Sequence, residues 1–563
     1  MLTETSDLSS LRLLTWVLRN PFNSSKNVYQ SLILLSIILV SSFFHLWNLD
    51  GFPSIYRDED HYLRKAMHIL EGEGLQEDSD DLISYQSYKY DHPYFGQLFL
   101  GGILKLIGYP DSLSPKVGDV HSIEMLYLVP RVIMGLLAVV DTFLIYKIAE
   151  HRYSRNIAFV AAILFAVMPL SLLTRGIFLD SILLPFLLSS ILFAIYLMET
   201  KTIEGNRRNT KNLFVLLSGI FLGLAIFTKL PAFLMIPVVA YLVYTNNNKS
   251  IKVLGLWFIP VILIPMIWPA YATLTGHFDE WINGVLWQAD RSTRSLSNAM
   301  EHVFKMDPLL LLLAIAGIIY ARIKKDYFLP LWIFPYLILL FIVDWVYFFH
   351  IVPILPAFCI AAAGLLVDLV RKSSKRKILR PLTFSLLGAI IIFGLLNTLT
   401  LITTNLNSSY FELVSFINQN LPNNPNNKNN EQNVALVGPN GSWGFFWLLK
   451  YIFDKDVEFK WFELPKDYIG SITNEKFLLM ADREVRYAIY ESSSGAPHIN
   501  QIKKLYNDSI LLKTFSNNTI RYDLHKYPYS NILDDFYKLG DIIKTRGIDW
   551  SRDIEVRGNY SIR

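Results

Sequence analysis

What most constrains this chain is a succession of apolar runs, each close to the length that a bilayer demands. A helix rises about 1.5 Å per residue, so crossing a hydrocarbon core of about 30 Å takes roughly 20 apolar residues. Runs of that order read at 30–48, 125–147, 157–174, 180–199, 212–228, 231–245, 254–273, 308–321, 327–344, 348–370 and 382–404. They predict a polytopic α-helical membrane protein with eleven spans. Composition agrees: 52% of the residues are hydrophobic and 18% charged, against about 25% charged in soluble domains. Lys229 and Pro231 interrupt an apolar stretch too long for one helix and predict a turn, and a second corner reads at Asp344 to His350. Tyr94 to Ile107 is apolar but short, and Gly101, Gly102 and Lys105 break it up, so it reads as an interfacial helix.

Loop charge then sets the orientation, because Lys and Arg concentrate in cytoplasmic loops. One set of alternate loops carries Lys147, Arg152 and Arg155, then Lys201, Arg207, Arg208 and Lys211, then Lys249 and Lys252. The same set continues with Arg322, Lys324 and Lys325 and ends in the cluster from Arg371 to Arg380. These loops are assigned to the cytoplasm, together with the N-terminal segment 1–29. The large loop 50–123 is thereby assigned to the outside, and eleven spans put the C-terminus there too. Residues 30–405 form the membrane domain, 406–433 an Asn- and Pro-rich linker, and 434–563 an extracytoplasmic α/β or α+β domain with short alternating runs. Asn-X-Ser/Thr sequons at Asn407, Asn440, Asn507, Asn517 and Asn559 permit glycosylation on that face. The first run has no small-residue cleavage site and reads as a retained helix, with the plasma membrane as the expected location. A single cysteine, Cys359, excludes an intrachain disulfide and a cysteine-built zinc site.

Chemistry-bearing residues gather on the side assigned outside. The stretch Ile55-Tyr56-Arg57-Asp58-Glu59-Asp60-His61-Tyr62 follows the first span. Its acids fit a helix start, where the dipole end is positive, and equally a general base or a metal pair at Asp58 and Asp60. Asp91-His92-Pro93-Tyr94-Phe95-Gly96 fits a turn before the interfacial helix, or places Asp91 and His92 at a site. Arg131, Arg175, Asp180 and Lys229 lie near the outer ends of spans, where ionisable groups are costly and are usually paired or functional. Arg131 and Lys229 suit snorkelling, Arg175 suits pairing with Asp180, and all suit a lipid phosphate at that depth. Arg291 and Arg294, beside Trp281, Trp287 and Gln288, fit a bidentate phosphate clamp or a headgroup-facing segment. Tyr347 and His350 open a span at the same face. The sequence has no Walker A loop, no His-Glu-x-x-His helix and no Gly-x-Ser-x-Gly elbow, so ATP-driven transport and zinc or serine hydrolysis lose support.

These motifs, in this order, resemble the GT-C membrane glycosyltransferases, above all the protein O-mannosyltransferases and the lipid A aminoarabinose transferases. The Asp58-Glu59 pair after the first span, the His92-Pro93 segment, Pro130-Arg131, Pro169 to Asp180, Thr228-Lys229-Leu230-Pro231 and Tyr347 to Pro356 carry the resemblance. Tyr94 stands where a second proline is usual. The resemblance covers about residues 30–405 and implies sugar transfer from a dolichyl or undecaprenyl phosphate to an extracytoplasmic protein, lipid or glycan. It implies Asp58 as the base, Glu59 as an acceptor-orienting group, and Lys229 with Arg131 or Arg291 and Arg294 at the departing phosphate. No cofactor is needed on that reading. Two alternatives stand beside it. Asp58-x-Asp60 is similar to the metal-binding pair of oligosaccharyltransferases, although Ser442-Trp443-Gly444-Phe445 lacks the acid of their soluble-domain motif. A transporter of polyprenyl-linked sugars is the other, and it predicts an internal repeat that the chain does not show.

Overall fold

The computed structural model describes the chain from residue 25, apart from 73, 75–89, 199–206, 291–295, 344–345, 374–378, 422–433, 439–442, 456, 462–475, most of 482–496, 517–553 and 560–563. Each apolar run is mostly helical. Among the described residues, five helices are long and apolar enough to cross a membrane: Val120–Arg152, Leu179–Tyr196, Asn209–Thr228, Phe348–Ser373 and Leu379–Ile402. Three bent pairs join them, Arg155–Val167 with Pro169–Arg175, Ile251–Leu263 with Ile267–Leu274, and Leu296–Met306 with Pro308–Ile323. By length and composition, five helices among the described residues are able to cross a membrane, or up to eight if each bent pair is one span, and the sequence reading expects eleven. Leu230–Asn246 and Phe328–Val343 are shorter apolar stretches of about 25 Å, less than the ~30 Å core, whereas the first run lies in the 22-residue helix Ser25–Leu46.

Local chemistry explains the breaks. Pro169 and Pro308 each open the second member of a bent pair, where a missing N–H costs nothing. Asp307 caps the 112° corner, its carboxylate accepting the N–H of Leu310 at 2.9 Å. At the predicted turn, the helix Arg207–Thr228 stops, Lys229 is extended, and Pro231 enters a 3-10 turn over Leu230–Met235. The predicted interfacial helix spans Phe95–Leu106. Its glycines let it dock closely: a Cβ on Gly96 would lie 2.6 Å from Leu179, and one on Gly101 would lie 2.9 Å from the Ala66 carbonyl.

The expected linker is partly structured. Ser408–Asn420 is a helix burying Phe411, Leu413, Val414 and Ile417, a three- and four-residue spacing masked by the Asn-rich composition around it. Asn407 is fully buried, donating to the carbonyls of Asp50 and Pro53 and accepting the N–H of Ile55. It clamps the start of the loop that follows the first helix and, being buried, is not open to glycosylation. Asn507 and Asn559 are exposed, whereas Asn440 and Asn517 fall outside the described residues.

Beyond it lies a five-stranded sheet of order β2-β1-β3-β5-β4, where β1 is Val434–Gly438, β2 Val457–Trp461, β3 Phe477–Ala481, β4 Ile510–Phe515 and β5 Ile554–Gly558. β1 runs parallel to β2 and β3, and β5 runs antiparallel to β3 and β4. β1 and β3 are buried along their whole length, as unbroken apolar runs require. The helix Trp443–Tyr451, between β1 and β2, fastens the sheet to the membrane domain. Trp447 Nε1 donates to the Tyr127 hydroxyl at 2.5 Å, that hydroxyl donates to the Gly444 carbonyl, and Phe445 stacks on Tyr410 at 4.5 Å. Gly444 lies against Ile55, so this domain abuts the acidic stretch itself.

Candidate functional site

The acidic stretch does start a helix, Arg57–Glu71, with Tyr56 as its N-cap. Glu59 accepts the Tyr56 N–H at 3.0 Å, the reach-back of a capping box. It also accepts Arg131 Nε at 2.9 Å and Nη2 at 2.7 Å, and the Ile177 N–H at 3.0 Å. Arg131 Nη1 donates to the carbonyls of Leu49 and Pro53, both at 2.8 Å. Both side chains are 0% exposed. A carboxylate that holds four donors has no lone pair left for a substrate, and Arg131 has no face left for a phosphate. Glu59 and Arg131, expected at the acceptor and the donor phosphate, are engaged with each other and with backbone, and the pair ties the loop after the first helix to Val120–Arg152 and to Ile177.

Asp60 is also fully buried, and takes Arg64 Nε at 3.2 Å and Nη2 at 3.0 Å one turn on. Asp58 and Asp60 stand two residues apart in a helix, roughly 200° around its axis, so they do not converge on one ion. No cluster of three His, Cys, Asp or Glu fit for a metal occurs among the described residues. The metal pair does not fit this geometry. Asp58 is the member of the triplet that reaches the surface. From 58 to 66, only Asp58 and His61 escape burial, and they share one helical face.

The membrane-edge charges converge beside this helix. Lys229 Nζ donates to Asp180 Oδ2 at 2.6 Å and lies 5.6 Å over the Phe349 ring. Asp180 Oδ1 has no hydrogen-bond partner among the described residues. Arg175 does not pair with Asp180. Its Nη2 donates to the Trp47 carbonyl, and its guanidinium stacks 5.7 Å over Phe52. An aromatic wall connects the two regions: Phe178 stacks on Phe349 at 4.6 Å, and Tyr56 meets Phe178, Tyr347 and Phe349 edge-on at 5.7 to 6.2 Å. Tyr347 lies in this wall. The Tyr347 N–H donates to His350 Nδ1 at 3.3 Å, so His350 caps the 3-10 turn Phe348–Ile354. Tyr56, Phe178 and Phe349 escaped notice in the sequence because an aromatic at a membrane edge carries no distinguishing pattern.

The second outer motif forms its own network. Buried Asp91 accepts Lys65 Nζ at 2.6 Å and His61 Nε2 at 3.2 Å. Burial pushes the Asp91 carboxyl up, but Lys65, His92 and His61 outweigh it and hold it well below the carboxylate range. Burial, with Lys65 beside it, depresses His61 to about 4. His92 is half-buried and meets Gln288, on the helix Phe278–Ala289, at 3.3 Å. Asp91 is thus enclosed and engaged rather than presented to a substrate. Arg291 and Arg294 fall outside the described residues. A cavity of about 240 Å³, lined by Met67, Leu70, Glu71 and Lys105 among others, opens at the far end of the Asp58 helix, about 20 Å from its start.

Comparison with known proteins bears out the GT-C resemblance. Residues 35–279 match the family model of the dolichyl-phosphate-mannose-protein mannosyltransferases. The chain superposes on the oligosaccharyltransferase of Archaeoglobus fulgidus tethered with an acceptor peptide containing the NVT sequon, at TM-score 0.51 and 10% identity, covering 87% of this chain and 73% of that one. The archaeal oligosaccharyltransferase AglB, from the same organism, in complex with an inhibitory peptide and a dolichol-phosphate gives TM-score 0.51 at 11% identity, with coverage of 86% and 73%. ArnT from Cupriavidus metallidurans bound to undecaprenyl phosphate gives 0.49 at 12%, with coverage of 94% and 98%. The oligosaccharyltransferase likenesses establish a shared fold. No curated protein sequence matches the chain.

Proposed function

We propose that this membrane protein of GT-C fold is an inverting glycosyltransferase, moving a sugar from a polyprenyl phosphate to an acceptor hydroxyl outside the cytoplasm. The matched family favours mannose as the sugar and a protein hydroxyl as the acceptor. The observation that carries the reading is Asp58: within the matched region, it is the part-exposed acid of the Asp58-Glu59-Asp60 triplet, while Glu59 and Asp60 are buried against Arg131 and Arg64.

In this mechanism Asp58 takes the proton of the acceptor hydroxyl as that oxygen attacks C1 of the sugar from the face opposite the phosphate. The bond from C1 to the phosphate oxygen breaks, and its electron pair leaves with the polyprenyl phosphate. Lys229, held until then by Asp180, offers its ammonium to the developing phosphate charge. Glu59 and Arg131 act indirectly, by fixing the helix that carries Asp58. Phe178, Phe349 and Tyr347 supply an apolar and aromatic wall against which a sugar and the first prenyl unit pack. The lipid carries the activated sugar, so neither a nucleotide nor a metal enters a step.

The test is transfer of labelled mannose from a polyprenyl-phosphate mannose to a Ser/Thr-containing peptide by the purified protein in lipid. Asp58→Asn is expected to lower transfer by about 10²–10⁴-fold with its melting temperature kept. Transfer at the wild-type rate would remove Asp58 as the base. Activity abolished by a chelator would favour the metal-dependent oligosaccharyltransferase reading.

A further inference from the structure

His61 is the residue that the mechanism above leaves unused. It stands three residues after Asp58, on the same face of the helix Arg57–Glu71, and is about one quarter exposed while the residues on either side are buried. Its Nε2 lies 3.2 Å from Asp91 Oδ2, and the other oxygen of Asp91 takes Lys65 Nζ at 2.6 Å. This arrangement fixes the chemistry of the ring. An ionised carboxylate can only accept, so His61 Nε2 must carry the proton it donates, and in the neutral ring Nδ1 then bears a lone pair. Lys65 opposes any second proton, and Arg64, on the same helix, opposes it too. Asp91 faces the ring from the next segment, and Tyr62 lies beside it at 5.6 Å. The outcome is an imidazole locked as a hydrogen-bond acceptor next to the carboxylate assigned as the base.

We propose that His61 is a substrate-contact residue whose Nδ1 accepts a hydrogen bond from the acceptor substrate beside Asp58, with Asp91 and Lys65 as positioning residues that set its tautomer. The ligand group is a donor, a second hydroxyl or a backbone N–H of the acceptor, close to the hydroxyl that Asp58 deprotonates. This rests on the glycosyltransferase reading and deepens it. It gives Asp91 a role through His61 in place of direct contact with substrate, and it makes acceptor recognition depend on a residue that the donor does not touch.

The experiment is steady-state transfer of mannose from polyprenyl-phosphate mannose to a Ser/Thr-containing peptide, varying peptide and donor separately. His61→Leu removes the acceptor atom and is expected to raise the peptide KM by roughly tenfold, with kcat and the donor KM within about twofold. His61→Asn puts an amide oxygen near the Nδ1 position and is expected to restore most of the loss. Asp91→Asn offers an N–H toward Nε2, reverses the tautomer and is expected to raise the peptide KM like His61→Leu, although His61 is intact. A merely structural His61 would not separate the two substrates in this way. An unmoved peptide KM in His61→Leu overturns the inference, as does an equal rise in donor and peptide KM. Absence of transfer by the wild-type protein overturns the glycosyltransferase reading and this inference with it. Wild-type transfer with unaffected variants overturns this inference alone.

Discussion

Two buried acid–base pairs sit side by side in this protein, and they differ in what they leave over. Glu59 and Arg131 are nearly saturated: a planar guanidinium meets a carboxylate through two parallel bonds, the Nη1 donors of Arg131 reach two backbone carbonyls, and Glu59 takes two backbone N–H groups besides. Asp180 and Lys229 share one bond at 2.6 Å, and one Asp180 oxygen has no hydrogen-bond partner among the described residues. An ammonium is a point charge with three donors on a flexible stem, so it can turn to a new anion in a way the fork of Arg131 cannot. The first pair is a fastening. The second has capacity for a ligand. Burial and charge alone do not separate them; the count of unused donors and acceptors does.

The sharpest way to break this comparison is to open the fastening. Arg131→Met strands the Glu59 carboxylate in a site with 0% exposure, and removing one partner of such a pair typically costs about 3–5 kcal/mol. The expected outcome is a large fall in melting temperature in detergent, with little folded protein recovered. The double variant Glu59→Met/Arg131→Met should regain only part of it. It still orphans the N–H groups of Tyr56 and Ile177 and the carbonyls of Leu49 and Pro53. Full recovery in the double variant would reduce the pair to mutual compensation and remove its locking role.

A smaller effect tests the other pair. Wild-type protein is expected to melt higher when polyprenyl phosphate is added, because a ligand that binds only the folded state stabilises it by mass action. Lys229→Met should lose that ligand-dependent rise, read against the variant's own ligand-free melting temperature. A rise equal to that of wild type in Lys229→Met would show that Lys229 is as closed to ligand as Arg131, and the contrast between the pairs would fail.

The contrast also marks what could be read before any fold was known. The turn at Lys229-Leu230-Pro231 and the helix Phe95–Leu106 were legible because proline and short apolar length act locally. Asp180 and Lys229 were legible as two costly charges near the ends of apolar runs. Their direct pairing was not, and Arg175 was the expected partner instead. Glu59 shows the limit most clearly. Its helix-start signature was visible, but the partner that consumes it lies 72 residues away and Ile177 lies 118 away, and no periodicity reports a contact at that range. The bends within the apolar runs were hidden for a related reason. Hydropathy measures apolar length, while Pro169, Pro308 and the Asp307 cap decide whether a run continues straight or bends.

A third carboxylate, Asp91, stands between the two extremes, engaged by Lys65 and His61 yet next to a part-exposed ring, and pH can separate its contributions. His61 has its pKa lowered from 6.5 to about 4 in the folded protein, chiefly by burial, then by Lys65. Below pH 6.5 the unfolded chain therefore binds a proton that the folded protein refuses until near pH 4. Stability attributable to His61 is intact above 6.5 and falls by up to about 1.4 kcal/mol per pH unit between those values. Asp91 has the opposite chemistry and a lower window. Its pKa is held well below 3.8 despite burial, so its contribution is present above that value and is lost only as pH falls beneath it. Denaturation followed from pH 7.5 to pH 4 should accordingly show a slope in the wild type that His61→Asn makes shallower, while the same variant leaves the loss below pH 4 in place. A slope unchanged by His61→Asn would mean that the ring is solvated enough to titrate normally, and the locked tautomer would lose its physical basis.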